Sequence, residues 1–157
     1  MNIKLLCISK TESGYLKEGI NLYLNRLQHY INFEIIEVPE LKNTKNISPI
    51  EVKNKETELI LKHAEKADKV VLLDENGKMY RSVEFSDYIQ KKLNSNVKTL
   101  MFVVGGAYGF SSVIKEKYPE KLALSPMTFS HQMIRLLFVE QIYRAFTIMK
   151  GEPYHNE

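Results

Sequence analysis

Residues 97–110, VKTLMFVVGGAYGF, and residues 121–130, KLALSPMTFS, decide the fold that we predict for this chain. Each segment begins as an apolar strand candidate and passes directly into a loop. The first loop is rich in glycine and the second starts at Ser125–Pro126. In α/β folds, ligands bind where loops leave the carboxyl ends of strands. The two strand exits therefore predict a ligand-binding site.

Strand candidates alternate with helix candidates along the rest of the chain. The predicted strands are residues 2–8, 33–38, 69–73, 98–104 and 121–124, and the predicted helices are residues 13–30, 50–66, 82–94, 111–117 and 131–149. The runs VVLL and LMFVV lack polar alternation, which is typical of strands buried on both faces. We therefore expect one α/β domain over residues 1–157, with a mostly parallel sheet and helices on both faces.

Local signals mark the boundaries of several elements. Ser82 is the expected cap of the third helix. Asn76-Gly77 predicts a turn after the third strand, because glycine tolerates positive φ. The polar segment 39–49 is bounded by prolines and is the best candidate for a mobile loop.

Composition restricts the class of protein more than its function. The chain has 157 residues, 44% of them hydrophobic, and a net charge of +3, as in an ordinary soluble protein. The charge permits contact with RNA, but scattered lysines equally describe a solvated surface. Cys7 lies in an apolar run and predicts a buried thiol. The four histidines lack metal-ligand spacing, so we expect no metal site. The chain shows neither a signal peptide nor an 18-residue apolar run, so we expect no membrane segment and a cytoplasmic protein.

The last predicted helix and the tail after it suggest a partner and a substrate. Residues 131–149 are apolar on several sides, which favours a homodimer over burial within one small domain. Glu140 and Arg144 have i, i+4 spacing and could form a pair, for which the sequence alone favours an ordinary pair on the helix surface. The tail GEPYHNE offers Tyr154 and His155, a stacking ring beside a group that titrates near neutrality, although most terminal tails are frayed.

Several motifs together resemble one known family. LLDENGK, FVVGGAYGF, LALSPMTFSHQMIRLLFVEQIYRA and the terminal GEPYH, in this order and spacing, are similar to the RlmH family of SPOUT-class methyltransferases. The resemblance covers essentially the whole chain. It implies a trefoil-knotted α/β fold, with the knotted part at about residues 69–157, and a homodimer. It also implies that the protein uses S-adenosylmethionine to methylate N3 of a pseudouridine in 23S ribosomal RNA, on the assembled ribosome.

Matching the motifs residue by residue assigns expected roles. The resemblance places the cofactor against Leu73, Gly105, Leu124, Ser125, Pro126, Met127, Thr128 and Phe129. It places the substrate RNA at Arg144, Tyr154 and His155, and the catalytic groups at His155 and Arg144. Two positions depart from the family pattern: Ser130 replaces a frequent proline, and Tyr108 lies at a variable loop position. These departures bear on the detailed shape of the loop more than on its role.

Two other functions compete with the methyltransferase. One is a non-catalytic ribosome-binding factor of the same fold, against which the intact glycine and LSPMTF segments argue. The other is an unrelated small-molecule α/β enzyme, which would need neither the ribosome nor the tail. Cofactor binding separates the first alternative from the enzyme, and association with the ribosome separates the second.

Overall fold

Five strands form one parallel sheet in the computed structural model, which describes residues 1–156. The strands are β1 (Asn2–Ile8), β2 (Asn32–Val38), β3 (Lys69–Met79), β4 (Thr99–Val104) and β5 (Lys121–Ala123). Their order is β2-β1-β4-β3-β5, and each adjacent pair is parallel. The predicted fold class is therefore confirmed. Residue 157, the last of the predicted domain, lies outside the described residues.

Helices connect the strands and cover both faces of the sheet. They are α1 (Gly14–Leu27), α2 (Pro49–Ala64), α3 (Ser82–Leu93), α4 (Ser112–Lys117) and α5 (Met133–Met149). One core cluster joins α1, α3 and α5 to the sheet, and a second joins α2 and α4 to its other face. Along β4, Phe102 belongs to the first cluster and its neighbours Met101 and Val103 to the second. Burial on both faces explains why this strand is apolar without alternation.

The N-termini of α2 and α3 are both capped, and the cap of α3 differs from the prediction. Ser82 was the wrong cap for α3, because it is already the first helical residue and Arg81 precedes it. The Glu84 carboxylate accepts a hydrogen bond from the Arg81 backbone N–H at 2.8 Å. At α2, the Ser48 hydroxyl and the Glu51 carboxylate accept from each other's backbone N–H groups at 3.2 and 2.7 Å. This reciprocal pair fixes the start of α2.

The strand β3 continues past the turn that the sequence predicts at 74–77. Both Leu73 and Lys78 pair with Leu122 of β5, so residues 74–77 leave the ladder as a bulge. A Cβ atom on Gly77 would lie 2.6 Å from the backbone nitrogen of Leu122. The glycine is therefore required by the close approach of β5 rather than by a hairpin. The bulge directs Asp74 and its neighbours to the edge of the sheet where the carboxyl ends meet.

The segment between β2 and α2 contains one short helical turn. A short 3-10 turn, Thr44–Asn46, interrupts the predicted loop 39–49.

Within residues 1–156, no helix is long and apolar enough to cross a membrane. The same part of the chain holds no group of three or more potential metal ligands.

Candidate active site

A cavity of about 600 Å³ opens where β3, β4 and β5 end. It is lined by the end of β3 and its bulge, by the glycine loop after β4, by the loop after β5 and by the first turn of α5. All three strands are parallel neighbours in the sheet, so their carboxyl ends deliver these loops to one place. The position agrees with the expectation drawn from the two strand exits.

Glycine residues bring the backbone after β4 close to the cavity and to α2. Gly109 has a φ of +73°, and its N–H donates to the Gly106 carbonyl at 3.1 Å, which closes a tight turn. A Cβ atom on Gly106 would lie 2.4 Å from both carboxylate oxygens of Glu56 on α2. Gly106 therefore permits a buried carboxyl group to lie directly behind the cavity wall.

The loop after β5 is held by its own hydroxyl groups. The Ser125 hydroxyl accepts from the Met127 backbone N–H at 3.0 Å, and the Thr128 hydroxyl donates to the Glu75 carboxylate of the β3 bulge. The Ser130 hydroxyl accepts from the Met133 backbone N–H at 3.1 Å. The serine that departs from the family pattern thus satisfies a backbone donor at the start of α5.

Charged groups of both signs surround the cavity. Lys53 of α2 and Lys115 of α4 line it, together with Asp74 from the β3 bulge. The Lys115 ammonium lies 3.9 Å from the Asp74 carboxylate, so these two charges offset each other across one side of the opening. The cavity thus combines polar rims with an apolar base, as small-molecule sites commonly do.

Most residues that the sequence assigns to the cofactor lie around this cavity. Its lining includes Leu73, Gly105, Leu124, Ser125, Met127, Thr128 and Phe129. Pro126 belongs to the same loop but is not part of the lining. A smaller cavity of about 180 Å³ shares Leu122, Ala123, Leu124 and Phe129 with the first and extends to Gln141 of α5. The roles of these residues in binding a cofactor stay a prediction.

Arg144, Tyr154 and His155 form a second group, farther along α5. The Arg144 guanidinium donates to one Glu140 carboxylate oxygen from Nε at 3.1 Å and from Nη2 at 2.7 Å. The i, i+4 pair suggested by the sequence therefore forms. Arg144 Nη1 lies 3.1 Å from His155 Nδ1. Because guanidinium only donates, Nδ1 accepts this bond, and a neutral ring then carries its proton on Nε2.

The tail folds back onto the helices instead of fraying. Gly151, with a φ of +66°, ends α5. Its N–H donates to the Ile148 carbonyl at 3.0 Å, and the Glu152 N–H donates to the Thr147 carbonyl at 2.9 Å. These two bonds form a Schellman motif, which reverses the chain direction. The reversal carries Tyr154 and His155 back toward Arg144.

Tyr154 is the residue that fastens the tail. Its ring packs edge-on against Tyr143 at a centroid distance of 4.8 Å, and its hydroxyl donates to the Glu140 carboxylate at 3.0 Å. The Tyr23 hydroxyl of α1 lies 3.3 Å from the Tyr154 hydroxyl. Burial, together with these hydrogen bonds to Tyr23 and Glu140, raises the pKa of Tyr154. Sequence reasoning missed Tyr23 and Tyr143 as partners of the tail, because only the tertiary structure shows that these two rings lie beside Tyr154.

The electrostatics of this second group keep Arg144 charged. Burial alone would lower the pKa of Arg144, but its hydrogen bonds to Glu140 outweigh this effect and raise the pKa. The guanidinium also lies over the Tyr154 ring at 4.8 Å. A fixed cation, a ring and an imidazole therefore stand side by side, which suits the recognition of an anionic or aromatic ligand.

One chain does not bring the two groups together. Ile134 lines the cavity at the start of α5, whereas Arg144, Tyr154 and His155 line neither cavity. Ile134 and Arg144 lie roughly 15 Å apart along the helix, at about 1.5 Å per residue. A reaction that uses both groups therefore needs a large ligand or a second chain.

Comparisons with known proteins agree with the fold. Residues 1–155 match the family model described as predicted SPOUT methyltransferase. A protein of Christiangramia forsetii named ribosomal RNA large subunit methyltransferase H is 55% identical over 99% of both chains. A protein of Parabacteroides distasonis with the same name is 55% identical over 100% of both chains. The crystal structure of tRNA (m1G37) methyltransferase from Aquifex aeolicus superimposes with a TM-score of 0.56, covering 100% of this chain and 76% of the other. Because the two sequences are only 11% identical, this similarity shows the fold alone.

Proposed function

The chain belongs to the SPOUT methyltransferase family, and we propose that it transfers a methyl group from S-adenosylmethionine to N3 of a pseudouridine in 23S ribosomal RNA on the assembled ribosome. We infer the substrate class from the full-length similarity to relatives named ribosomal RNA large subunit methyltransferase H. With such a substrate, the enzyme would work in the cytoplasm. The family resemblance also leads us to propose that residues from about 69 to the C-terminus form the trefoil knot.

The cavity fits S-adenosylmethionine in size and chemistry. Its volume of about 600 Å³ suits a ligand of that size. Gly105 exposes backbone beside it, and Leu73 and Leu124 supply an apolar base for an adenine ring. The Ser125 and Thr128 hydroxyls lie on the same wall, where they could bond to polar groups of the ligand. These features support the roles that we propose for the eight predicted cofactor residues, Pro126 acting through the shape of its loop.

A homodimer would unite the two groups of residues. The cofactor cavity and the Arg144 group lie at different points along α5, and one chain leaves them apart. Half-buried Leu136, Leu137 and Ile148 lie outside the buried stripe of α5, which suits contact with a second copy. We propose that the tail of one protomer serves the cofactor cavity of its partner.

The chain would catalyse the reaction mainly by alignment. When bound, S-adenosylmethionine supplies a methyl group on a sulfonium, which needs no covalent enzyme intermediate. Loops around the cavity would hold the methyl donor, and Tyr154 would stack on the target base. N3 must lose its proton as it bonds to the methyl carbon, while the pair of the broken carbon–sulfur bond stays on sulfur. Holding the reactants in line is worth several orders of magnitude in rate.

Arg144 and His155 would handle the charge and the proton at N3. Arg144 stays charged and could stabilise negative charge on the uracil ring or hold a phosphate. His155 accepts from Arg144 at Nδ1, so in this arrangement its ring orients the base as a donor through Nε2. For His155 to accept the N3 proton, Nδ1 must first exchange its bond with Arg144. The substrate would provide that exchange by drawing Arg144 away.

Transfer of labelled methyl from S-adenosylmethionine tests this proposal. Assembled ribosomes and free large-subunit RNA are incubated with the protein, and the label is then mapped. We expect label on a pseudouridine in assembled ribosomes alone, because a chain of net charge +3 has little attraction for bare RNA. Label elsewhere would make the substrate assignment wrong. A protein that binds ribosomes but not the cofactor would be the non-catalytic ribosome-binding factor.

A further inference from the structure

Glu56 places a buried carboxyl group directly behind the glycine loop of the cavity. The residue is 7% exposed, and both of its carboxylate oxygens lie where a side chain on Gly106 would begin. Gly106 itself lines the cavity. Only the glycine backbone therefore separates this carboxyl group from a ligand in the cavity.

The carboxyl group lacks the compensation that buried charges normally have. In the part of the chain that the structure describes, Glu56 Oε2 has no hydrogen-bond partner, and no ion pair includes Glu56. Burying a carboxylate without a partner is unfavourable, because the charge loses its hydration. Burial and the nearby Glu40 raise the pKa of Glu56 accordingly. Such a cost is offset when a positively charged ligand arrives beside the group.

The lysines around the cavity do not take the place of a positively charged ligand beside Glu56. Lys53 lies on the same helix and lines the cavity, but none of the ion pairs among the described residues joins it to Glu56. Lys115 of α4 faces Asp74, and its side chain is 39% exposed. Exposed ammonium groups are screened by solvent, whereas a buried carboxylate is screened much less. When Glu56 is ionised, its field within the cavity is therefore negative, and a positively charged ligand favours that ionised form.

We propose that Glu56 is a specificity-determining residue that makes the cavity bind the positively charged methyl donor in preference to its demethylated product. This inference rests on the proposed function, because it assumes S-adenosylmethionine as the ligand. Methyl transfer turns the sulfonium into a neutral thioether, so the product S-adenosylhomocysteine carries one positive charge less. A buried negative charge then stabilises the donor but not the product, and it favours product release.

The size of the effect follows from Coulomb's law. A compact cavity of about 600 Å³ is on the order of 10 Å across, which sets the scale of the distance between Glu56 and a ligand charge. Two unit charges about 10 Å apart at an effective dielectric constant of ~20 change a binding constant by roughly tenfold. The preference does not require direct contact between Glu56 and sulfur, because electrostatic attraction acts across this distance.

Calorimetric binding of S-adenosylmethionine and S-adenosylhomocysteine tests the proposal. Glu56→Gln removes the charge at nearly constant volume, Glu56→Asp keeps it, and Glu58→Gln removes an exposed carboxylate from the same helix. We expect Glu56→Gln to reduce the preference for the donor by about tenfold. Glu56→Asp should keep most of the preference, and Glu58→Gln should keep all of it. Should Glu56→Gln fail to fold, Glu56→Leu carries the same test, because an apolar side chain relieves the desolvation cost.

The outcomes separate this inference from the proposed function. If the parent protein binds both ligands and Glu56→Gln keeps the same preference, the proposal for Glu56 is wrong while the cofactor assignment stands. Equal weakening of both ligands would also overturn it, since that result indicates a role in the shape of the loop. If the parent protein binds neither ligand, both the cofactor assignment and the proposal fall.

Discussion

Arg135 of α5 donates a hydrogen bond from Nη2 to the Ile8 carbonyl at the end of β1, at 2.7 Å. The same guanidinium donates to the Ser9 carbonyl and to the Thr11 hydroxyl, both at 3.1 Å. Its side chain is fully buried, and the Glu37 carboxylate lies 3.7 Å away. One side chain thus joins the first turn of α5, which borders the cofactor cavity, to the end of a strand more than 120 positions earlier.

Replacing Arg135 with methionine should destabilise the protein severely. The change removes the Arg135 donors from the Ile8 and Ser9 carbonyl groups, and we expect a loss of about 3–5 kcal/mol in the free energy of unfolding. Urea denaturation measures this loss. Lys150→Met, at the exposed end of α5, is the matched control and should stay within about 0.5 kcal/mol of the parent protein. Similar stabilities for the two variants would contradict a structural role for Arg135.

Replacing Gly77 with alanine should disturb the pairing of β3 with β5. The new Cβ atom would lie 2.6–2.7 Å from backbone atoms of Leu122 and Lys121, which cannot rotate away. Overpacking of this kind costs about 1–3 kcal/mol, which thermal unfolding would detect. Gly14→Ala is the control, because no atom lies within 4 Å of its added Cβ. We also expect weaker cofactor binding in Gly77→Ala, since Leu122 lines the cavity; unchanged binding would show that the bulge does not shape the site.

Replacing His155 with alanine should lower turnover and leave the affinity for the cofactor nearly unchanged. A group that orients the base or takes its proton is worth about 10²–10⁴ in rate. The measurement is methyl transfer on ribosomes, with calorimetric cofactor binding beside it. His29→Ala, at an exposed histidine, is the control. Full activity of His155→Ala would show that His155 takes no part in the reaction.

Arg144 and His155 should act as one unit in the same assay. Arg144→Ala removes the 3.1 Å bond to His155 Nδ1 and the cation over the Tyr154 ring, so it frees the His155 ring from Arg144 and should weaken substrate engagement more than cofactor binding. The double variant should therefore lose little more activity than Arg144→Ala alone. Additive losses would mean that the two side chains work independently. Equal losses in substrate and cofactor binding would instead identify Arg144 as a structural residue of the helix.

Glu120 should make stability depend on acid pH. Burial alone would raise its pKa, but hydrogen bonds from Lys69, Tyr88 and Lys92 outweigh burial and lower the pKa to about 2. A lowered pKa in the folded state gives stability that is present above the unfolded value near 4.5 and is lost as the pH falls toward 2. Glu120→Gln should lose about 1 kcal/mol at pH 7, discounted for solvent screening, and should show a flatter decline in acid. Glu116→Gln, exposed on α4, is the control, and parallel acid declines in both variants would contradict the prediction.

Local patterns predicted the elements well because each element is encoded by neighbouring residues. The apolar run of β4 and the helical spacing of α5 need no distant information to be recognised. The strand exits at Gly105 and Ser125 also located the cavity, since parallel strands end at one edge of the sheet. The cap of α3 was wrong by one residue because Glu84, rather than a hydroxyl, satisfies the backbone donor there.

The sequence by itself thus determined the α/β class, the loops that border the cavity and, through whole-chain motifs, the family. Only the tertiary structure decided that β3 resumes after its bulge, that Arg135 is buried at the end of β1, and that Glu56 lies behind Gly106. It also decided that Arg144 and His155 meet each other but not the cavity of their own chain. The physical reason is the same in each case. These features arise from contacts between residues far apart in the chain, whose hydrogen bonds and burial no local pattern encodes.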